Sequence, residues 1–242
     1  MCNIRGGFNS KLDEIARILL VSNVDVAVLV ETWLHGGIHD DLIRSPEYFA
    51  FRKDCDDGRV GGGILVYVRN GLPFHAQPQL DKVDLEVLWL LYRRPLMPRE
   101  VSFAHSCRRH LPPSLSPKWT DVRSPRFNYG MDTVSREHPY TDCILLGVFN
   151  QLPEGQLRSC PLKQIVAGHT RNSATLDKIF TNISNWYHSP VILPTVTKSD
   201  HNTVLFPPIV IAHRDQTVKQ FTITVDYLIL TERLCYAITS NA

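Results

Sequence analysis

The run Thr175-Leu176-Asp177-Lys178-Ile179-Phe180-Thr181-Asn182 sets one carboxylate inside an otherwise strand-like pattern, and Ser199-Asp200-His201 follows it. A third acid, Glu31, ends an apolar run just before Thr32-Trp33. Carboxylates and an imidazole at the ends of apolar strands suit a divalent-metal phosphodiester site, which needs hard oxygen ligands for the cation and a group able to move a proton. Each residue also has a plainer reading. Glu31 alone reads as a solvated loop carboxylate, Ser199-Asp200 as a turn or helix cap, and His201 as a satisfied surface histidine. Asp177 has the strongest case, because an acid inside a strand pattern needs a costly buried partner.

The elements that must position these residues are legible from periodicity. Ser10 can cap a helix with Asp13 at the capping-box position, and Leu12, Ile15, Ile18 and Leu19 share one helical face that predicts core. Val24 to Val30 is an apolar run broken only by Asp25, which predicts a strand buried on both faces with Glu31 at its exit. Gly61-Gly62-Gly63 leads into a predicted strand Ile64 to Val68, and Leu85 to Leu91 predicts another. The glycines lack the Lys-Ser/Thr ending of a phosphate-binding loop and read as a tight approach to the strand. Further strands are predicted at Cys143–Val148, Thr175–Thr181, Thr203–Phe206 and Gln220–Leu230. Between Arg99 and Tyr140, five prolines and little apolar periodicity predict a long irregular insertion. Trp33 and Trp89 read as packing residues rather than base-stacking platforms.

Composition is neutral on function. With 43% hydrophobic residues the chain can bury a core as one domain with a tail. A formal charge of +2 permits a nucleic-acid partner without demanding one. The six cysteines show no zinc-site spacing, which predicts a reducing compartment. No signal-peptide layout and no membrane-length apolar run is evident, so the expectation is an intracellular protein, nuclear or cytoplasmic, neither secreted nor membrane-bound.

In their joint order, Glu31-Thr32-Trp33, the Gly61–Gly63 approach, Leu145-Leu146-Gly147-Val148-Phe149-Asn150, Thr175-Leu176-Asp177 and Ser199-Asp200-His201 resemble the endonuclease/exonuclease/phosphatase superfamily. The wording is similar to the apurinic-type endonuclease domain of LINE-type (non-LTR) retrotransposons. The resemblance covers residues 1–206 and leaves 207–242 as a C-terminal tail of unknown role. It implies a four-layer α/β sandwich, two facing mixed sheets flanked by helices, with a Mg²⁺-dependent site, Mn²⁺ being an alternative, at the strand ends. By the family's pattern Asn3 and Glu31 hold the metal with Asp200 near it. Asp177 orients His201, which binds the scissile phosphate or handles the proton, and Asn150 hydrogen-bonds the phosphate. The implied substrate is DNA, with the RNA of the parent element, whose polyprotein carries a reverse transcriptase, as a further partner. No other protein partner is implied.

The departures matter as much as the matches. Where the family carries Gly-Asp-Phe-Asn, this chain has Gly147-Val148-Phe149-Asn150, and valine can accept no proton from an attacking water. The strand that should end in a catalytic tyrosine before a Pro-Pro pair is replaced by the basic, polar stretch Phe103 to Leu111 before Pro112-Pro113. Codons compatible with Ala104 to Pro113, read one base later, can spell an apolar strand ending in tyrosine, as a frameshift scar would. The expectation is a sheet with one central strand lost or disordered. Three functions compete: an active Mg²⁺-dependent DNA endonuclease, an impaired or inactive copy of it, and a domesticated, non-catalytic nucleic-acid-binding module. Another phosphodiesterase or phosphatase of the superfamily ranks below these. The two departures favour the impaired copy.

Overall fold

The apolar run that ends at Glu31 forms β2 (Val26–Val30), and its alternating side chains serve two cores. Val28 and Val30 face one apolar cluster and Leu29 faces the other, as expected of a strand covered on both sides. β4 (Ile64–Arg69) pairs antiparallel with β2 and divides in the same way, with Ile64, Val66 and Val68 on one side and Leu65 and Tyr67 on the other. The computed structural model describes residues 1–6, 8–54, 61–80, 86–92, 133, 134, 136, 142–149, 162–196, 198–209 and 227–231.

The outer cluster is closed by α1 (Phe8–Ser22), whose Phe8, Ile15 and Leu19 pack on Leu29, Leu65 and Tyr67. The helix starts at Phe8, so Ser10 lies inside its first turn and not ahead of it as the capping pattern predicts. β1 (Cys2–Asn3) runs parallel to β2, and β3 (Tyr48–Lys53) runs antiparallel to β4, giving the order β1-β2-β4-β3. A hairpin-like pair, β10 (Val191–Thr195) and β11 (Asn202–Leu205), meets the free edge of β1. There the Met1 amino group donates to the Val204 carbonyl at 2.7 Å and the Val204 N–H donates to Met1 at 2.9 Å.

The second sheet holds six strands in the order β5 (Phe74–Ala76), β6 (Val87–Tyr92), β12 (Tyr227–Thr231), β7 (Cys143–Val148), β9 (Asp177–Thr181) and β8 (Lys163–Gln164). Leu88, Leu90, Ile144, Leu146, Val148 and Ile179 pack against Val28, Val30, Ile64, Val66 and Val68, so the inner core lies between the sheets. The described residues thus supply helix, sheet and sheet as successive layers.

β12 overlaps the strand predicted at Gln220–Leu230, and its place inside the sheet is what the sequence did not indicate. It pairs antiparallel with β6, from Tyr227 opposite Leu91 to Thr231 opposite Val87, and parallel with β7, from Tyr227 opposite Cys143 to Thr231 opposite Gly147. The segment from 207 onward, expected as a tail, therefore contributes an internal strand. The replaced stretch Phe103 to Leu111, and most of the insertion expected over 99–140, lie outside the described residues. Among the described residues, the buried Cys2 and Cys143 form no disulfide, and no helix is long and apolar enough to cross a membrane.

Candidate active site

The exits of β1 and β2 carry unusual backbone. Arg5, Glu31 and Trp33 adopt positive φ of 46°, 56° and 56°, conformations that cost a non-glycine residue about 1 kcal/mol or more. The turns brace one another. Gly6, at φ 67°, donates its N–H to the Glu31 carbonyl at 2.6 Å, and a Cβ there would fall 2.1 Å from the Trp33 ring. One carboxylate oxygen of Glu31, Oε2, accepts from the Gly62 N–H at 2.8 Å and from the Trp33 indole Nε1–H at 2.9 Å. The backbones of Thr32 and Trp33 donate to the Gly63 and Gly62 carbonyls, while the Gly63 N–H donates to Glu86. Side chains at 62 and 63 would collide with Glu86 and Thr32. The glycines are thus a saddle for the Glu31 turn, in agreement with the tight approach predicted for them. Trp33 covers Gly6 while remaining partly exposed, and Trp89 is buried.

Asp177 and His201 meet where β9 begins and β11 is about to begin. Their Oδ2 and Nδ1 lie 2.7 Å apart, both side chains almost fully buried. With the carboxylate as acceptor, Nδ1 donates, which fixes the tautomer and leaves Nε2 as the acceptor of the ring. Thr170 ties the two strands together. Its Oγ1 accepts the Leu176 and Asp177 N–H groups at 3.0 Å each, and its carbonyl accepts the Asn202 N–H at 2.7 Å. Ser199 Oγ accepts the His201 N–H at 3.1 Å. Among the described residues, Asp177 Oδ1 is buried with no hydrogen-bond partner, an expensive state for a carboxylate oxygen. Val148 lies directly opposite Asp177 in the β7–β9 ladder.

The remaining residues of the expected site are linked through Arg5. Asn3 Oδ1 accepts the Arg5 N–H at 3.0 Å, and the Arg5 guanidinium reaches Asp200 at 3.2 Å. A second arginine, Arg171, reaches the same Asp200 oxygen at 2.6 Å. Asn3 and Glu31 end adjacent parallel strands, and Asp200 precedes His201. Among the described residues no group of three or more His, Cys, Asp or Glu side chains is arranged to hold a metal ion. Asn150 lies outside the described residues. Thr170, Arg5 and Arg171 were not predicted from sequence; their contacts cross between segments, and only Arg5, two residues after Asn3, carried a positional hint.

Comparison with known proteins places this geometry in context. Residues 2–201 match the model of the Endonuclease/Exonuclease/phosphatase family. No curated protein matches the chain in sequence. Among solved structures, the endonuclease domain of TRAS1, a telomere-specific non-LTR retrotransposon, is similar with a TM-score of 0.59 at 12% identity, over 87% of this chain and 97% of that one. The AP endonuclease LMAP from Leishmania major is similar with a TM-score of 0.57 at 12% identity, over 85% of this chain and 86% of that one. At such identities the likeness is one of fold, the four-layer α/β sandwich.

Proposed function

The chain belongs to the endonuclease/exonuclease/phosphatase family, and we propose that it is the DNA-nicking domain of a non-LTR retrotransposon polyprotein, catalytically impaired in this copy. The observation that carries this reading is the buried Asp177–His201 pair with a valine, Val148, facing Asp177 across the ladder. The pair keeps what a phosphodiesterase needs for proton handling, an imidazole held in one tautomer by a carboxylate. The valine removes the group expected to position or deprotonate the attacking water.

The donor set supports a sparse Mg²⁺ or Mn²⁺ site. Asn3 and Glu31 would hold the ion, with Asp200 beside it; a carboxamide and a carboxylate are the hard oxygen ligands that Mg²⁺ takes while keeping most of its waters. When bound, the ion neutralises charge that develops on the phosphate during an in-line displacement. Glu31 is pre-aimed for such a role by the Gly62 and Trp33 donors. His201 Nε2 is the atom that meets the phosphate or its proton, and Asp177 orients the ring that presents it. The substrate on this reading is DNA, reached in the nucleus.

The test is nicking of supercoiled plasmid in Mg²⁺ or Mn²⁺. Loss of a group that activates the nucleophile costs about 10² to 10⁴-fold in rate, and groups that act as a unit do not contribute additively. The expected result is no detectable nicking by the chain and little rescue from Val148→Asp alone, because the tyrosine expected before Pro112-Pro113 is also missing. Robust nicking by the unaltered chain, abolished by His201→Ala, would overturn the impaired reading. Salt-dependent DNA binding without cleavage is common to the impaired copy and to the domesticated binding module; nicking regained when Val148→Asp is combined with restoration of the tyrosine-bearing strand would favour the impaired copy, and its absence the binding module.

A further inference from the structure

Two arginines beside the dyad take no part in the hydrolysis proposed above. Arg5 comes from the exit of β1 and Arg171 from the turn before β9, and both guanidinium groups converge on one oxygen of Asp200. Each is held from its own backbone. Arg171 closes a turn with Ala174 through reciprocal hydrogen bonds of 3.0 and 2.9 Å, and it follows Thr170, whose side chain and carbonyl anchor Asp177 and Asn202. Arg5 follows the buried Asn3–Ile4 step and accepts a left-handed φ of 46°.

A purely structural reading assigns the trio to fastening loops. It accounts poorly for the details. Ion pairs this exposed, with side chains 62%, 40% and 32% accessible for Arg5, Arg171 and Asp200, stabilise a fold little, yet Arg5 accepts backbone strain to join one. Among the described residues, two guanidinium groups share one oxygen of Asp200, the residue before His201. Guanidinium forks are matched to phosphate oxygens in both geometry and charge.

We propose that Arg5 and Arg171 form a phosphodiester-binding fork at the mouth of the site, with Asp200 as an internal stand-in that keeps both guanidinium groups aimed until a nucleic-acid phosphate engages them. The inference rests on the nucleic-acid reading above and adds to it the residues that grip the backbone. It also gives Asp200 a task that needs no cation: to hold the fork and to compete with the phosphate for it.

Binding of a fluorescent DNA duplex in EDTA tests this without catalysis or metal. Each neutralised phosphate contributes about 0.9 to the slope of log affinity against log salt, or about eightfold in affinity at about 0.1 M salt. Arg5→Gln and Arg171→Gln should each lower the slope by about that amount, and Asp200→Asn should tighten binding by releasing the fork. Arg171→Lys, which keeps the charge and loses the fork, should keep the slope while binding more weakly, and it covers the case in which a glutamine variant fails to fold. An unchanged slope in both glutamine variants would overturn the fork, as would binding weakened by Asp200→Asn. A wild-type chain that binds no duplex even at low salt would overturn the fork and the nucleic-acid reading together, whereas full binding by the arginine double variant would overturn the fork alone.

Discussion

His201 and Asp177 form a buried pair of the kind whose loss is felt in stability as well as chemistry. Removing one partner leaves the other buried and uncompensated, at a cost of roughly 3 to 5 kcal/mol. Asp177 already carries one oxygen that finds no partner among the described residues. His201→Ala should therefore lower the unfolding free energy by that order in urea titrations, whereas Asp177→Ala, which removes the orphaned oxygen along with the partner, should cost less. Equal stability of His201→Ala and wild type would mean that the carboxylate is not held by the imidazole in solution. Glu31 gives a second test. Weak Mn²⁺ binding, at ~1 mM for so few protein ligands, should be abolished by Glu31→Gln in a paramagnetic titration, and binding unchanged by the substitution would remove Glu31 from the proposed metal site. At this scale the sequence was informative where a residue contradicts its own pattern. Asp177 was legible because an acid in a strand must have a buried reason, and Glu31 because it ends a run of valines. Thr170 and Arg171 were not legible, because a hydroxyl or guanidinium that reaches across segments leaves no periodic trace.

Among the elements, β12 has the largest consequence. It fills the lane between β6 and β7, and without it the facing edges of both strands would present unpaired N–H and C=O groups inside the sheet. A proline at Ile229, opposite Trp89 on one side and Leu145 on the other, removes a ladder donor from the middle of an internal strand and should destabilise the sheet there. Hydrogen exchange should then lose protection in Val87–Tyr92 and Cys143–Val148 and keep it in Val26–Val30; unchanged protection in both neighbours would show that the sheet does not depend on the C-terminal strand. The apolar strands β2, β4, β6, β7, β9 and β11 were predicted to within about two residues, the usual uncertainty of element ends, because burial on both faces writes a continuous hydrophobic run. β3 was not, since Tyr48-Phe49-Ala50-Phe51-Arg52-Lys53 lies at a sheet edge with Phe49 exposed and its ending is basic. Chain order also hid the partner of β6 and β7, because pairing across more than eighty residues leaves no local signature.

Taken whole, the molecule has an outer helix–sheet core and an inner sheet–sheet core, and tyrosines close both. Tyr67 donates its hydroxyl to the Ile43 carbonyl at 2.7 Å, and Tyr48 donates to Val24 at 2.8 Å and to Leu19 at 3.2 Å, so both pin loops onto the outer core. Tyr187 stacks on Phe206 at 4.1 Å beside the inner one. Burial pushes all three hydroxyls above the ordinary tyrosine value of 10.0. The sign follows from proton counts: between pH 10 and the raised folded values the folded chain keeps protons that the unfolded chain has released. Stability from these groups is therefore fully present below pH 10 and falls as pH rises above it, by up to about 1.4 kcal/mol per pH unit for each fully suppressed ionisation. The melting temperature should accordingly show no tyrosine contribution to its slope at neutral pH and should drop steeply above pH 10. Tyr67→Phe should lose about 1 kcal/mol for the hydrogen bond at neutral pH and gain a shallower alkaline decline, so that the two melting curves converge as pH rises. An alkaline slope identical in Tyr67→Phe and wild type would show that the Tyr67 hydroxyl reaches water in the folded chain and that the outer core is open on its loop side.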